Sequence, residues 1–164
     1  MNRFLPHIRL LPFSVLLMLS VSCNQLSSQN QYQTPMQNPE EIQPQPSMGP
    51  REVVDLQVKA MQQNDHPYEN HGIEVAYRFA SPDNKKNTGP IDRFTRMLNN
   101  EIYQSLLNAQ QYGLDAVEIE GEIAVQKVTL IDTQDQPVVY YFQLSRQKEG
   151  SLKDCWLTDS VVRY

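Results

Sequence analysis

A chain of 164 residues with two cysteines and a formal net charge of -5 is long enough for one ordinary domain with tails and too short for two. The acidic balance excludes nucleic acid as the main partner, because phosphate binding needs clustered Lys and Arg; two cysteines exclude a disulfide scaffold and a four-cysteine zinc site. Eighteen glutamines and 11 prolines against 6 glycines imply that part of the chain does not pack.

Residues 1–22 read as an export signal. Arg3 and Arg9 form its basic start. Leu10 to Leu19 is apolar apart from Pro12 and Ser14, and Ser20-Val21-Ser22 supplies the small residues a signal peptidase needs. The apolar run is short of the about 20 residues of a spanning helix. Cys23 follows directly. A serine before a cysteine resembles a bacterial lipobox, in which the cysteine is lipidated and becomes the new N-terminus. Ser20 departs from the Leu, Val or Ile usual three residues before the cysteine. The resemblance implies a lipid anchor at Cys23 on the periplasmic or extracellular face of a membrane. Ordinary cleavage after Ser22 would instead release a soluble secreted protein.

Residues 23–50 are then anchor and linker. Residues 24–50 hold seven Gln, five Pro and three Asn, and their only charges are Glu40 and Glu41. Such a segment buries too little apolar surface to offset its chain entropy, so a solvated spacer is expected. Residues 51–164 are expected to form a single α+β domain. It carries every charged residue except Arg3, Arg9, Glu40 and Glu41.

The first half of that domain reads helical. Pro50 suits a first helical position. Val54, Val58 and Met61 recur at i, i+4, i+7, and Asn64 to Pro67 ends the pattern. Ile73 to Phe79 is a second short helix, stopped by Ser81-Pro82. Gly89-Pro90 opens a third through Ile91, Phe94, Met97 and Leu98. Asn99-Asn100-Glu101 precedes a fourth, on Ile102, Tyr103, Leu106 and Leu107.

The second half reads as strands. Val117, Ile119, Ile123 and Val125 alternate at odd positions, and the apolar set then moves to Val128 and Leu130. A phase change of this kind predicts a β-bulge or break near Gln126-Lys127. Thr133 to Pro137 is a turn. Val138, Tyr140, Phe142 and Leu144 form one face of the next strand, with Val139 and Tyr141 on the other. Gln147 to Asp154 is a loop, and the last strand runs from Cys155 to Arg163. Helices followed by a meander predict helices packed on a curved antiparallel sheet.

That order resembles the nuclear transport factor 2-like superfamily, a cone of bent sheet and N-terminal helices around a pocket. Particular strings are similar to one uncharacterised family, domain-of-unknown-function family 4864. They are Asn64-Asp65, Tyr77-Arg78-Phe79-Ala80-Ser81-Pro82-Asp83-Asn84, Thr88-Gly89-Pro90, Arg93-Phe94 with Met97, and Asp154-Cys155-Trp156-Leu157-Thr158-Asp159. The resemblance covers roughly residues 51–164. It implies the cone fold and no particular chemistry.

Enzymes of the cone fold work with a carboxylate or His base and an oxyanion-holding Tyr. Asp159 shares its apparent strand face with Leu157 and Val161, which makes Asp159 with Tyr140 the candidate catalytic pair. The plainer reading of Asp159 is an exposed or ion-paired edge residue. Tyr77, Phe79, Phe94, Met97, Tyr103, Tyr140 and Trp156 are the candidate ligand-binding set if the cone is not filled by its own side chains. Some of them must fill the core. His66 and His71 lie in a polar stretch around Pro67, which reads as a solvated connector and not a metal site. Cys155 reads as a buried strand cysteine. Lys85, Lys86, Arg93 and Arg96 surround a helix start that suits an anion, or else form ordinary surface ion pairs.

The expected function is therefore an exported, lipid-anchored binding module for a small apolar molecule or a protein partner, without cofactor or metal. One alternative is a small-molecule isomerase, dehydratase or hydrolase using the same pocket. Another is a structural or assembly homodimer through the outer sheet face, a pairing the cone resemblance implies.

Overall fold

The fold starts at Pro50, which lacks the N–H that a first helical turn leaves unused. It opens α1 (Pro50–Gln62), with Glu52 in the first turn and Lys59 in the last, both matching the helix dipole. Val53, Val54, Val58 and Met61 are buried along one side. A computed structural model describes residues 42–164. The export signal, Cys23 and the linker through residue 41 lie outside the described residues. Residues 42–49, placed above in the linker, pack on the domain. Met48 is buried in its core, and Arg78 Nη1 donates to the Ile42 carbonyl at 3.0 Å.

Helix α2 (His71–Arg78) crosses α1 closely. The crossing needs Gly72, since a Cβ there would overlap the Ala60 carbonyl. Ser81-Pro82 does not simply stop the chain, as the sequence suggested. It ends one helix and begins another, α3 (Pro82–Thr88), in which Pro82 takes the first position. Ser81 Oγ caps it by accepting from the Asn84 backbone N–H at 3.1 Å. Helix α4 (Ile91–Leu98) follows, with Phe94 and Leu98 buried. The expected helix on Ile102 to Leu107 is only a turn of 3-10 helix at Gln104–Leu106. Its residues are too few to continue, and Leu107 is already extended.

Five antiparallel strands complete the domain: β1 (Gln111–Leu114), β2 (Glu118–Glu120), β3 (Ile123–Ile131), β4 (Pro137–Arg146) and β5 (Trp156–Arg163). The order is β1-β3-β4-β5, and β2 pairs with β3 beyond the end of β1. The sheet is curved and does not close on itself. The predicted break at Gln126-Lys127 is absent, because β3 pairs with β4 without interruption from Ile123 to Ile131. The phase change has another cause. Ile119 belongs to β2 and Val117 directly precedes it, and the chain reverses at Gly121, whose φ of 58° suits glycine. Within β3 the even residues Ala124, Gln126, Val128 and Leu130 are all buried, so Ile123 and Val125 point to the other face.

A bulge does occur, in β5. Gln143 pairs with Ser160 but the next residue, Leu144, pairs with Thr158. Asp159 is the extra residue. Helix α1 lies against β1, β3 and β5. Between helices and sheet sit Val54, Ile73, Phe79, Val128, Tyr140 and Phe142, each at most 2% exposed. Burial of such a side chain contributes about 1.5–3 kcal/mol.

Candidate functional site

Where the helices meet β5, a buried polar network joins four elements. Thr158 Oγ1 donates to Gln57 Oε1 at 2.7 Å, and Gln57 Nε2 donates to the Ala76 carbonyl at 2.9 Å. Asn84 Nδ2 donates to the Thr158 carbonyl at 3.0 Å. The Ser81 N–H reaches the same carbonyl, and the Thr158 N–H donates to Phe79. Thr158 thus binds α1, α3 and the end of α2 to the last strand. Gln57 can sit within an otherwise apolar helix stripe because both ends of its amide are satisfied.

Beside this network is a partly open pocket of about 230 Å³. Gln57, Asn84 and Thr158 form its polar wall, and Met61, Phe94, Met97, Leu106, Phe142 and Val161 its apolar one. Tyr103 also lines it, with its hydroxyl donating to the Val161 carbonyl at 3.1 Å.

Of the ligand-binding candidates, Phe94, Met97 and Tyr103 line this cavity. Tyr77 stands behind Phe94, ring centroids 5.2 Å apart, and donates to the Gly89 carbonyl at 3.1 Å. Phe79 is fully buried core. Trp156 is half-buried at the start of β5, opposite Arg146. Tyr140 is also fully buried; its hydroxyl donates to the Ile102 carbonyl at 2.6 Å, and burial pushes its pKa up.

Asp159 borders the cavity, but its carboxylate turns elsewhere. Oδ1 accepts from Ser145 Oγ at 3.0 Å. Ser145 lies between the buried residues Leu144 and Phe142 and the strand end, on the alternate face of β4. The bulge separates Asp159 from Val161, which pairs with the inward Phe142. Asp159 and Tyr140 are therefore not brought together: one faces Ser145, the other Ile102. The apparent face shared by Asp159 and Val161 assumed an unbroken strand.

Of the basic candidates, Lys85 has local partners. Lys85 Nζ donates to the Arg78 carbonyl at 3.2 Å and lies 5.2 Å from the Tyr77 ring centroid. Burial pushes its pKa down, and the nearby Arg78 charge adds to that. Cys155 is 2% exposed, and burial, with Asp154, pushes its thiol up. An inert thiol is what such surroundings produce. His71 is not in a solvated connector: it is 4% exposed. Among the described residues no group of three His, Cys, Asp or Glu could hold a metal ion. None of the described helices is long and apolar enough to cross a membrane. Gln57, Asn84 and Thr158 were missed as site residues. The signal for Gln57 was a lone amide in an apolar helix stripe.

A family model described as Domain of unknown function (DUF4864) matches residues 45–162. No curated protein and no solved structure matches the chain.

Proposed function

This chain belongs to the DUF4864 family, and we propose that its domain is a cone of the nuclear transport factor 2-like kind that binds one small uncharged molecule in the pocket beside Thr158. The observation that carries the reading is the cavity wall. It joins an apolar side, with Phe94, Met97 and Leu106, to a neutral polar side, with Gln57, Asn84 and Thr158. The one charged residue at its border, Asp159, spends a carboxylate oxygen on Ser145. An anionic ligand would lose its hydration there and meet no cation, only the Asp159 carboxylate. An apolar cavity of about 150 Å³ accepts benzene. The present volume of about 230 Å³ therefore suits a somewhat larger molecule, with a polar group for the amide and hydroxyl wall.

The export signal and the lipobox-like Ser22-Cys23 support delivery of this module to the outer side of a cell membrane, with Cys23 as its lipid anchor. Native mass spectrometry of the purified full chain tests the binding reading. The expected result is a co-purifying neutral small molecule that is lost in Met97→Trp, where the larger side chain fills the cavity. An unliganded protein that also fails to take up small neutral compounds would overturn it. Labelling with a fatty-acid probe, expected to disappear in Cys23→Ser, tests the anchor.

The outer sheet face supports a second reading, a homodimer. Tyr141 and Val162 are paired across β4 and β5 and are 36% and 58% exposed. Tyr164 packs edge-on against Tyr141 and is 91% exposed. Sedimentation that gives only monomer at micromolar concentration would remove this reading.

A further inference from the structure

Helix α1 separates two cavities. Gln57 and Met61 face the pocket beside Thr158. The opposite side of the helix lines an outer groove of about 440 Å³, whose far wall is Ile42, the His66-Pro67 corner and the α2 residues His71 and Val75. The floor is apolar, from Leu56, Ala60 and Val75. The two ends differ in charge. Glu52 and Asp55 stand toward the start of α1; Lys59 stands one to two turns further on, and His66 lies beyond the helix end.

Part of this arrangement has an ordinary cause, since acidic residues at a helix start and basic ones at its end complement the dipole. The dipole requires neither an apolar floor nor the state of His71. That side chain lines the groove, is 4% exposed, and its Nε2 has no hydrogen-bond partner. Its ring meets Tyr68 edge-on at 5.0 Å. Buried polar nitrogens are almost always paired, and one left unpaired is costly.

We propose that the outer groove is a second binding site, and that its ligand is a short zwitterion of peptide type with an apolar middle. Glu52 and Lys59 are seven residues apart on one helix, about 10 Å along its axis. An extended peptide covers that distance in about three residues. Its ammonium group meets Glu52 and the Asp55 oxygen that Tyr112 does not use, since the Tyr112 hydroxyl donates to Asp55 Oδ1. Its carboxylate meets Lys59 and His66. Its central side chain rests on Leu56, Ala60 and Val75, beside the buried His71 ring.

The test is a two-dimensional NMR titration of the labelled full chain with the tripeptide Ala-Leu-Ala, free at both termini. The expected result is shifts at the amides of Leu56, Lys59, Ala60 and Val75 and at the His71 ring, with Phe94 and Met97 unchanged. Blocking both peptide termini by acetylation and amidation should weaken binding roughly tenfold or more. So should the substitution Lys59→Glu, at an exposed position, with Lys59→Gln as the variant that spares the helix dipole an opposing charge. No shift at these groups up to about 10 mM peptide, a range that would reveal even millimolar affinity, would overturn the proposal. Equal binding of the blocked peptide, or equal binding to Lys59→Glu, would overturn it as well.

Discussion

Thr158 on the last strand donates its hydroxyl proton to Gln57 on the first helix across 2.7 Å. The two residues are 101 positions apart, and both are buried, at 2% and 3% exposure. The bond closes the domain from end to end and forms the polar wall of the pocket.

Replacing Thr158 with Val keeps the shape and removes the hydroxyl. Gln57 Oε1 is then left buried without its donor, which costs about 1–3 kcal/mol. Thr158→Ser keeps the donor and should lose less. Urea unfolding of the three proteins checks this. A Val variant as stable as the parent would show that the bond contributes nothing net.

Gly72→Ala sets two effects against each other. Alanine improves helix propensity by about 0.8–1.0 kcal/mol. Its Cβ would overlap the Ala60 carbonyl, which is backbone and cannot rotate away. Forcing α2 off α1 costs about 1–3 kcal/mol or more, so the expected outcome is net destabilisation, read as a lower Tm. A raised Tm would contradict the close crossing.

Alkaline pH should weaken the fold through its tyrosines. The Tyr112 hydroxyl is pushed up from 10.0 to about 12 by burial, with the Asp55 hydrogen bond and charge adding to it. Burial pushes Tyr140 up as well. Both keep their protons in the folded chain after an unfolded chain has released them near pH 10. Their contribution is complete below that pH and is lost as pH rises through the raised folded values, about 12 for Tyr112. The urea midpoint should therefore fall between pH 10 and 12, and fall less in Tyr112→Phe.

The parts of this fold that could be read from the chain are those set by local pattern. The stripe of Val54, Val58 and Met61 marks α1 because burial repeats with the helical turn. The alternation of Val138, Tyr140, Phe142 and Leu144 marks β4 because one face of the sheet is packed and the other is not. Helix α3 was hidden because Ser81-Pro82 can end one helix or cap the next, and only the bond from the Asn84 N–H to Ser81 decides between them. Strand β2 was merged with β3 because a reversal at Gly121 looks like a shift of phase when the chain is read in one direction.

By itself the sequence determined an acidic α+β domain behind a Gln- and Pro-rich N-terminal segment, because charge, composition and periodicity are sums over near neighbours. Only the tertiary structure decided where the site lies. Asp159 faces Ser145 because a single unpaired residue on β5 reverses which side chains face inward. Gln57 becomes part of a cavity wall because Thr158, distant in the chain, supplies the proton that lets an amide stay buried.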